Sequence, residues 1–268
     1  MFFKRKAYEK LREWKEKYAD CYSILLEGPR RVGKSTIAEQ FAKNEYETYI
    51  LIDFANISNT LLACFDDIND LDVFFLRLQT VTGKKLVEKK SVIIFDEIQL
   101  FPKVRQAIKY LVKDGRYHYI ETADFLYSNR KSEEASEYKI KMYPMDYEEF
   151  LWAAGSDSNV FHDICRLDEK MGNLINRKLM RDFRLYMAVG GMPQAVETYI
   201  ATNNFDDVDR VKRQIIELYL EDLNRMDKSG KLAKIYKAIP VQLALKKKHF
   251  IFYTCLLYTS DAADDRIS

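Results

Sequence analysis

Gly28-Pro29-Arg30-Arg31-Val32-Gly33-Lys34-Ser35 is the stretch of sequence that decides the fold of this chain. It follows the short apolar run Ser23-Ile24-Leu25-Leu26-Glu27 and precedes a stretch with Ile37 and Phe41 on one side, which predicts the order strand, loop, helix. Glycine at both ends lets the loop curl, so that its N–H groups and the positive end of the helix face one anion. The pattern G-x-x-x-x-G-K-[ST] in this context is typical of a loop that binds nucleotide phosphates.

Two side chains of this loop indicate ATP chemistry. We expect the Lys34 ammonium to bridge the β- and γ-phosphates, which makes it a candidate catalytic residue, and the Ser35 hydroxyl to coordinate Mg²⁺. The cofactors predicted from the loop are therefore ATP and Mg²⁺. The predicted ATP-binding residues of the loop are Gly28, Pro29, Arg30, Arg31, Val32, Gly33, Lys34, Ser35 and Thr36.

A second informative run, Val92-Ile93-Ile94-Phe95, has the composition of a buried strand and ends in Asp96 and Glu97. We predict that Asp96 holds Mg²⁺ through water and that Glu97 orients or deprotonates the attacking water, because phosphoryl transfer depends on positioning and charge neutralisation. Thr122, which follows the apolar run Tyr117 to Ile120, has two interpretations. It is either a catalytic residue whose hydroxyl faces the γ-phosphate or the attacking water, or a threonine that simply ends a strand.

The composition excludes several other classes of protein. With 43 basic and 41 acidic residues and a net charge of +2, the chain lacks the excess charge of a histone-like binder or an unstructured tail. Its 4 cysteines form no C-x-x-C pair and its 3 histidines lie far apart, so neither a Cys/His metal site nor a disulfide framework is predicted. The apolar runs are shorter than a membrane span needs. We expect a cytoplasmic protein without membrane contacts.

Strand-like and helical runs alternate over residues 1–145, which favours an α/β fold with a parallel sheet covered on both faces. Further strands are predicted at Tyr49 to Phe54 and Lys139 to Met142. The strand signal stops near Asp146, so residues 146–254 are predicted to form a helical region that leads into a truncated C-terminal domain. Predicted helices are Pro102 to Asp114, Glu148 to Ala154, Leu174 to Val189, Gln194 to Thr202 and Val208 to Met226; predicted surface segments are the loop Ser128 to Glu137 and the solvated acidic turn Asp66 to Asp72.

The end of the sequence, residues 255–268, does not have the character of a protein segment. Cys255-Leu256-Leu257-Tyr258-Thr259-Ser260 and the residues that follow resemble the translation of a transposon-type sequencing adapter. We therefore expect that the native chain continued past Thr254 and that its C-terminal part is missing from this sequence.

Four motifs make the chain resemble the AAA-type P-loop ATPases of bacteria and archaea that carry a C-terminal domain of unknown function. They are Gly28 to Thr36, Ser91 to Gln99, Tyr143 to Leu151 and Arg181 to Ala195, and the last two are specific to this group. The resemblance implies an AAA-type sheet of order 5-1-4-3-2. Its pattern continues Thr-Gly-Ser after the fourth strand, where this chain has Thr122-Ala123-Asp124.

Gly191-Met192-Pro193 matches a Gly-x-Pro element of related switch-type ATPases, which places its proline against adenine. The resemblance therefore implies that Pro193 is an ATP-binding residue. The glycine pair before it is equally compatible with a simple break between two helices.

Three functions remain open on the sequence. The leading hypothesis is an ATPase that couples hydrolysis to movement of the helical region, because Glu97 directly follows Asp96. The alternative is a slow-turnover, ATP-dependent switch whose C-terminal part engages a protein or nucleic-acid partner. A small-molecule kinase is disfavoured, since no acceptor-binding motif is visible. An oligomer is compatible with all three.

Overall fold

The computed structural model describes residues 2–124, 137–155 and 173–244. The predicted adapter-like tail 255–268 and nearly all of the predicted loop Ser128 to Glu137 lie outside these ranges. No helix among the described residues combines the length and the apolar character that crossing a bilayer requires.

The centre of the fold is a parallel sheet in the order β2-β3-β4-β1-β5. Read from the other edge, this is the predicted order 5-1-4-3-2, so the predicted α/β fold class is confirmed. One strand, β1, has the predicted bounds, and the ends of the others differ from the prediction by one to three residues. The strands are β1 Ser23–Glu27, β2 Thr48–Asp53, β3 Ser91–Asp96, β4 His118–Ala123 and β5 Glu137–Lys141.

Helices connect and cover the strands. Among them α5 has the bounds predicted from Pro102 and Gly115, with the glycine in the left-handed conformation that ends the helix. Described helices are α1 Lys6–Lys17, α2 Lys34–Glu45, α3 Asn59–Ala63, α4 Leu71–Thr82, α5 Pro102–Asp114, α6 Tyr147–Ala153, α7 Asn173–Val189, α8 Pro193–Thr202, α9 Phe205–Met226 and α10 Lys231–Ala244.

The acidic segment Asp66 to Asp72 is more ordered than the solvated turn predicted for it. Its first half belongs to a 3₁₀ helix over Cys64–Asp67. Asp70 then accepts hydrogen bonds from the N–H groups of Asp72 and Val73 and so caps α4. The carboxylates of this segment therefore start a helix.

The two faces of the sheet are covered by separate hydrophobic clusters. Ile93 and Phe95 of β3 belong to one cluster with side chains of α4 and α5, whereas Val92 and Ile94 belong to the other with side chains of α1 and α2. This alternation follows from the pleat of the strand, which sends successive side chains to opposite faces. All six residues of β3 are buried, as expected for a central parallel strand.

The chain divides into two compact units, one up to Phe205 and one from Asp206 onward. In the second unit, the rings of Tyr219 on α9 and Tyr236 on α10 lie 6.2 Å apart. Asp227 accepts the N–H of Leu232 and orders the turn between these helices. The domain limits at 145 and 254 stay predictions.

A buried carboxylate on β4 predicts a pH-dependent stability. Glu121 is fully buried, and Glu137 on the edge strand β5 lies near enough to repel it. Burial raises the pKa of Glu121, and the charge of Glu137 raises it further. The folded protein therefore holds a proton that the unfolded chain releases, so the free energy of unfolding falls as the pH rises from the ordinary value of 4.5 through the raised pKa.

We expect Glu121→Gln to reduce that loss of stability with pH. Relative to the wild type, the variant should gain at least about 1 kcal/mol in unfolding free energy at about pH 8.5 compared with about pH 5. Urea unfolding at both values measures this difference, with the exposed Glu16→Gln as the matched control. Equal pH dependence of Glu121→Gln and the wild type would exclude Glu121 as the titrating group.

Candidate functional site

The loop between β1 and α2 has a backbone that only glycine accommodates at two positions. Gly33 has φ of 93°, in the left-handed region that other residues rarely adopt. A Cβ on Gly28 would lie 2.3 Å from the carbonyl oxygen of Met142. The Gly28 N–H also donates to the Ala123 carbonyl at 3.2 Å, which anchors the start of the loop to the end of β4.

Lys34 is buried at the first residue of α2. Its Nζ donates to the carbonyl oxygens of Gly28 at 2.9 Å and Pro29 at 3.0 Å, so the side chain folds back over the loop. Burial lowers the pKa of the Lys34 ammonium, and the carboxylate of Glu97 opposes that decrease. The loop therefore concentrates positive charge beside a group of carboxylates.

Asp96 collects two hydroxyl groups at the end of β3. Its Oδ1 accepts from Ser35 Oγ at 2.6 Å and from Thr122 Oγ1 at 2.5 Å. Thr122 Oγ1 in turn accepts the backbone N–H of Glu97 at 3.0 Å. The buried hydroxyl of Thr122 therefore joins the Asp96 carboxylate to the backbone of Glu97. A threonine that simply ended a strand would not need these contacts.

Glu97 follows β3 in a left-handed backbone conformation with φ of 56°. Its Oε2 accepts a hydrogen bond from Gln99 Nε2 at 2.5 Å. Burial raises the pKa of the Glu97 carboxyl, while the hydrogen bond from Gln99 and the charge of Lys34 lower it. A carboxyl group with a raised pKa is better suited to accept a proton than an exposed one.

A cavity of about 550 Å³ opens beside the loop. This volume is in the range of sites that hold nucleotide-sized ligands. It brings together the predicted residues Arg30, Arg31, Gly33, Lys34, Ser35, Thr36, Glu97 and Pro193. The other predicted residues, which do not line the cavity, are Gly28, Pro29 and Val32 in the loop and Asp96 and Thr122 at the strand ends.

Comparison with protein families adds a finding that is independent of this geometry. Residues 21–151 match the AAA domain family, and residues 180–254 match a domain of unknown function, DUF8612. The chain carries an AAA domain. The predicted resemblance to AAA-type P-loop proteins with a C-terminal domain of unknown function is therefore confirmed. No curated protein matches the chain.

Solved structures with a similar arrangement are distant in sequence. They include PCH-2 from C. elegans (TM-score 0.39, 10% identity, 80% of this chain and 66% of that chain). AMPPCP-bound DnaA from Aquifex aeolicus has a TM-score of 0.45 and 12% identity over 92% of this chain and 74% of that chain. A STAND protein with a tetratricopeptide repeat sensor from Pyrococcus horikoshii has a TM-score of 0.44 and 12% identity over 95% of this chain and 38% of that chain. Likeness at these scores does not identify a function.

Beside the AAA domain, the glycine pair before Pro193 does end a helix, because Gly190 has φ of 84° directly after α7. It also permits close packing. The Met145 N–H donates to the Gly191 carbonyl at 2.6 Å, and a Cβ on Gly191 would lie 2.1 Å from the Met145 carbonyl oxygen. The segments 143–151 and 181–195, which mark the resemblance, are therefore in contact through their backbones.

Several residues near the phosphate loop of the AAA domain were not predicted from the sequence. Gln99 holds Glu97, and Asp124 is buried close enough to raise the pKa of Lys34. Gln99, Asp124, Ile37 and Gln194 lie within two residues of predicted site residues or motifs, so their position in the chain was a usable signal. Phe2, Phe3, Arg5 and Glu197 belong to no motif. The additional cavity-lining residues are Phe2, Phe3, Arg5, Ile37, Gln194 and Glu197.

Proposed function

We propose that this protein binds ATP with Mg²⁺, hydrolyses it to ADP and phosphate, and couples that reaction to movement of its helical region. The observation that carries the proposal is the cluster at Asp96, whose Oδ1 accepts both the Ser35 and the Thr122 hydroxyl. This cluster lies beside Lys34 and Glu97, which line one cavity. Phosphate binding, metal binding and water activation can therefore occur at adjacent atoms.

The loop supplies the phosphate cradle of the proposal. Phosphate oxygens would compete with the carbonyls of Gly28 and Pro29 for the Lys34 ammonium, because charge-assisted hydrogen bonds are the stronger ones. The N-terminus of α2 adds its partial positive charge. The charge on Lys34 would then bridge the β- and γ-phosphates.

The residues present fit Mg²⁺ at the edge of this cavity, which Ser35 lines and where Asp96 accepts the Ser35 hydroxyl. Ser35 Oγ and Asp96 Oδ1 are hard oxygen donors 2.6 Å apart. Mg²⁺ prefers such oxygens and commonly completes its shell with water and substrate phosphates. When bound there, the ion would neutralise the charge that develops on the phosphates. Asp96 and Ser35 are the groups we propose to hold it, Asp96 through water.

Glu97 is the proposed general base. Water would attack the γ-phosphorus as the bond to the β–γ bridging oxygen breaks, and the proton of that water would pass to the Glu97 carboxylate. Thr122 positions both acids, since its hydroxyl donates to Asp96 and accepts from the Glu97 N–H. We propose that this same hydroxyl faces the γ-phosphate or the attacking water.

Pro193 is the proposed contact for adenine. It lines the same cavity as Lys34, and its Cγ would lie 3.9 Å from a Cβ on Gly33. Phe2 and Phe3 line this cavity as well, so its wall offers apolar surface for a base.

Cytoplasmic location is part of the proposal, because Cys21 and Cys64, the cysteines in the described part of the chain, are free thiols.

One observation favours the second candidate, a slow-turnover switch. Gln99 Nε2 donates to Glu97 Oε2 at 2.5 Å, which engages the proposed general base with a protein group. If this hydrogen bond persisted with ATP in place, hydrolysis would be slow and ATP would act as a bound signal. The helical region of a monomer or an oligomer would then engage a protein or nucleic-acid partner.

We expect Ser35→Ala to weaken ATP binding only when Mg²⁺ is present, because the lost hydroxyl is a proposed metal ligand. The dissociation constant measured calorimetrically with Mg²⁺ should rise by about tenfold, the loss of one hydrogen bond to a charged group. With EDTA the two proteins should bind ATP alike. Thr80→Ala, which removes a hydroxyl bonded only within α4, is the matched control. Equal weakening with and without Mg²⁺ would count against Ser35 as a metal ligand.

A further inference from the structure

Arg5 is a buried cation beside the phosphate loop, and it also lines the cavity. It precedes α1 and is 7% exposed. Its Nη1 donates to the Val32 carbonyl at 2.7 Å, and its Nη2 donates to the Tyr143 carbonyl at 2.7 Å. Its Nε lies 3.1 Å from Glu149 Oε2, in an ion pair that is not aligned as a hydrogen bond. The guanidinium thus contacts three separate segments of the chain.

The contact with Val32 determines the direction of an N–H group in the loop. The Val32 carbonyl and the Gly33 N–H belong to one planar peptide and point in opposite directions. When Arg5 holds the carbonyl on its side, the Gly33 N–H faces away from Arg5. Gly33 itself does not fix this plane, because glycine adopts both signs of φ readily. Arg5 therefore supplies the restraint that the glycine lacks.

The contact with Tyr143 connects the loop with the segment before Pro193. Arg5 binds the Tyr143 carbonyl, and two residues later the Met145 N–H binds the Gly191 carbonyl at 2.6 Å. Pro193, the proposed adenine contact, follows directly and lines the cavity. The guanidinium thus links the phosphate loop to the segment of Tyr143 and Met145, which in turn bonds to the residues before Pro193. Arg31 of the loop adds a direct bond to Gln194 at 2.8 Å.

Glu149 is the anionic partner of Arg5, and the two carbonyl contacts hold the guanidinium in place without it. Its carboxylate accepts the Lys6 N–H at 2.7 Å and forms a reciprocal capping box with Asp146 at the start of α6. A planar guanidinium with several fixed donors can hold two carbonyls and a carboxylate at once, which a lysine ammonium cannot do in the same geometry.

We propose that Arg5 is a positioning residue of the nucleotide site, which orients the Val32–Gly33 peptide toward the phosphates and sets the distance between the loop and Pro193. The proposal rests on the proposed function, since it assigns Arg5 a part in binding ATP. The role assigned to Arg5 is to hold the carbonyls of Val32 and Tyr143, and it needs no contact between Arg5 and a phosphate.

The experiment separates this role from a contribution to folding. ATP dissociation constants and unfolding free energies are measured for Arg5→Gln, Glu149→Gln and the double variant, with the exposed Arg12→Gln as the matched control. Arg5→Gln leaves Glu149 buried without its cation and should lose both stability and affinity. Glu149→Gln keeps both carbonyl contacts of Arg5, so its affinity should stay within about threefold of the wild type.

The double variant distinguishes a positioning role of Arg5 from a contribution to folding alone. Removing both charges should restore part of the stability lost in Arg5→Gln, whereas ATP binding should stay weaker than wild type by about ten- to a hundredfold, the worth of hydrogen bonds from a charged group. Wild-type affinity in the double variant, or an equal loss of affinity in Glu149→Gln alone, would overturn the proposal. Lys34→Ala, measured beside these variants, distinguishes the two failures. If it also binds ATP like the wild type, the proposed function fails as well.

Discussion

Replacement of Lys34 by alanine should remove most of the affinity of this protein for ATP. The Lys34 ammonium is the buried cation at the first residue of α2, and in the proposal it offsets the charge of two phosphates. Charge-assisted hydrogen bonds in a site with little water are among the strongest that proteins make. We expect the dissociation constant to rise by about a hundredfold or more, which corresponds to about 2.7 kcal/mol.

Isothermal titration with ATP and Mg²⁺ measures this effect. Lys43→Ala is the matched control, because Lys43 is an exposed residue of the same helix that pairs with Glu39 across one turn and lies over the Tyr49 ring. Circular dichroism should show that both variants are folded. Unchanged affinity in a folded Lys34→Ala protein would contradict the assignment of residues 28–36 as the phosphate loop.

Glu97→Gln should abolish most turnover while ATP binding persists. Glutamine keeps the size of the side chain and can still accept the hydrogen bond from Gln99, but it cannot take a proton from water. Removal of a general base typically slows the chemical step by about a hundredfold to ten-thousandfold. Binding should be equal or slightly tighter, since a negative charge beside the γ-phosphate is lost.

The matched control for this variant is Glu47→Gln, an exposed carboxylate paired with Lys90. Phosphate release and ATP binding are measured on the same preparations. Equal rates of phosphate release in wild type and Glu97→Gln would show that another group activates the water. Loss of binding together with turnover would show instead that Glu97 supports the structure of the site.

The parts of the fold that could be predicted are those with local sequence signals. The strands of the sheet appear as short apolar runs, and α5 is bounded by a proline and a glycine whose backbone preferences begin and end helices. Helix α10 was not predicted, because Pro240 inside it contradicts helical propensity and its pairing with α9 depends on tertiary contacts. The acidic segment before α4 was predicted as solvated, and Asp66, Asp70 and Asp72 are indeed exposed. The capping of α4 by Asp70 was not predicted, since side-chain capping cannot be distinguished in the sequence from an exposed charge cluster.

The candidate site shows the same division. The loop and the acidic pair follow from chain order, because the carboxyl ends of parallel strands meet at one edge of the sheet. Arg5 lies 138 positions before Tyr143, whose carbonyl it binds, and no motif in the sequence connects the two residues. The contact of Met145 with Gly191 is similarly distant and depends on the absence of a side chain. Such contacts become visible only when the folded chain is known.

Phosphate release by the unmodified protein under saturating ATP and Mg²⁺ distinguishes an ATPase from a switch. We expect sustained release over many turnovers that stops when EDTA removes the metal, because Asp96 and Ser35 are proposed to hold Mg²⁺ beside Lys34 and Glu97. Tight ATP binding without any release beyond a single turnover would contradict the ATPase and favour the switch.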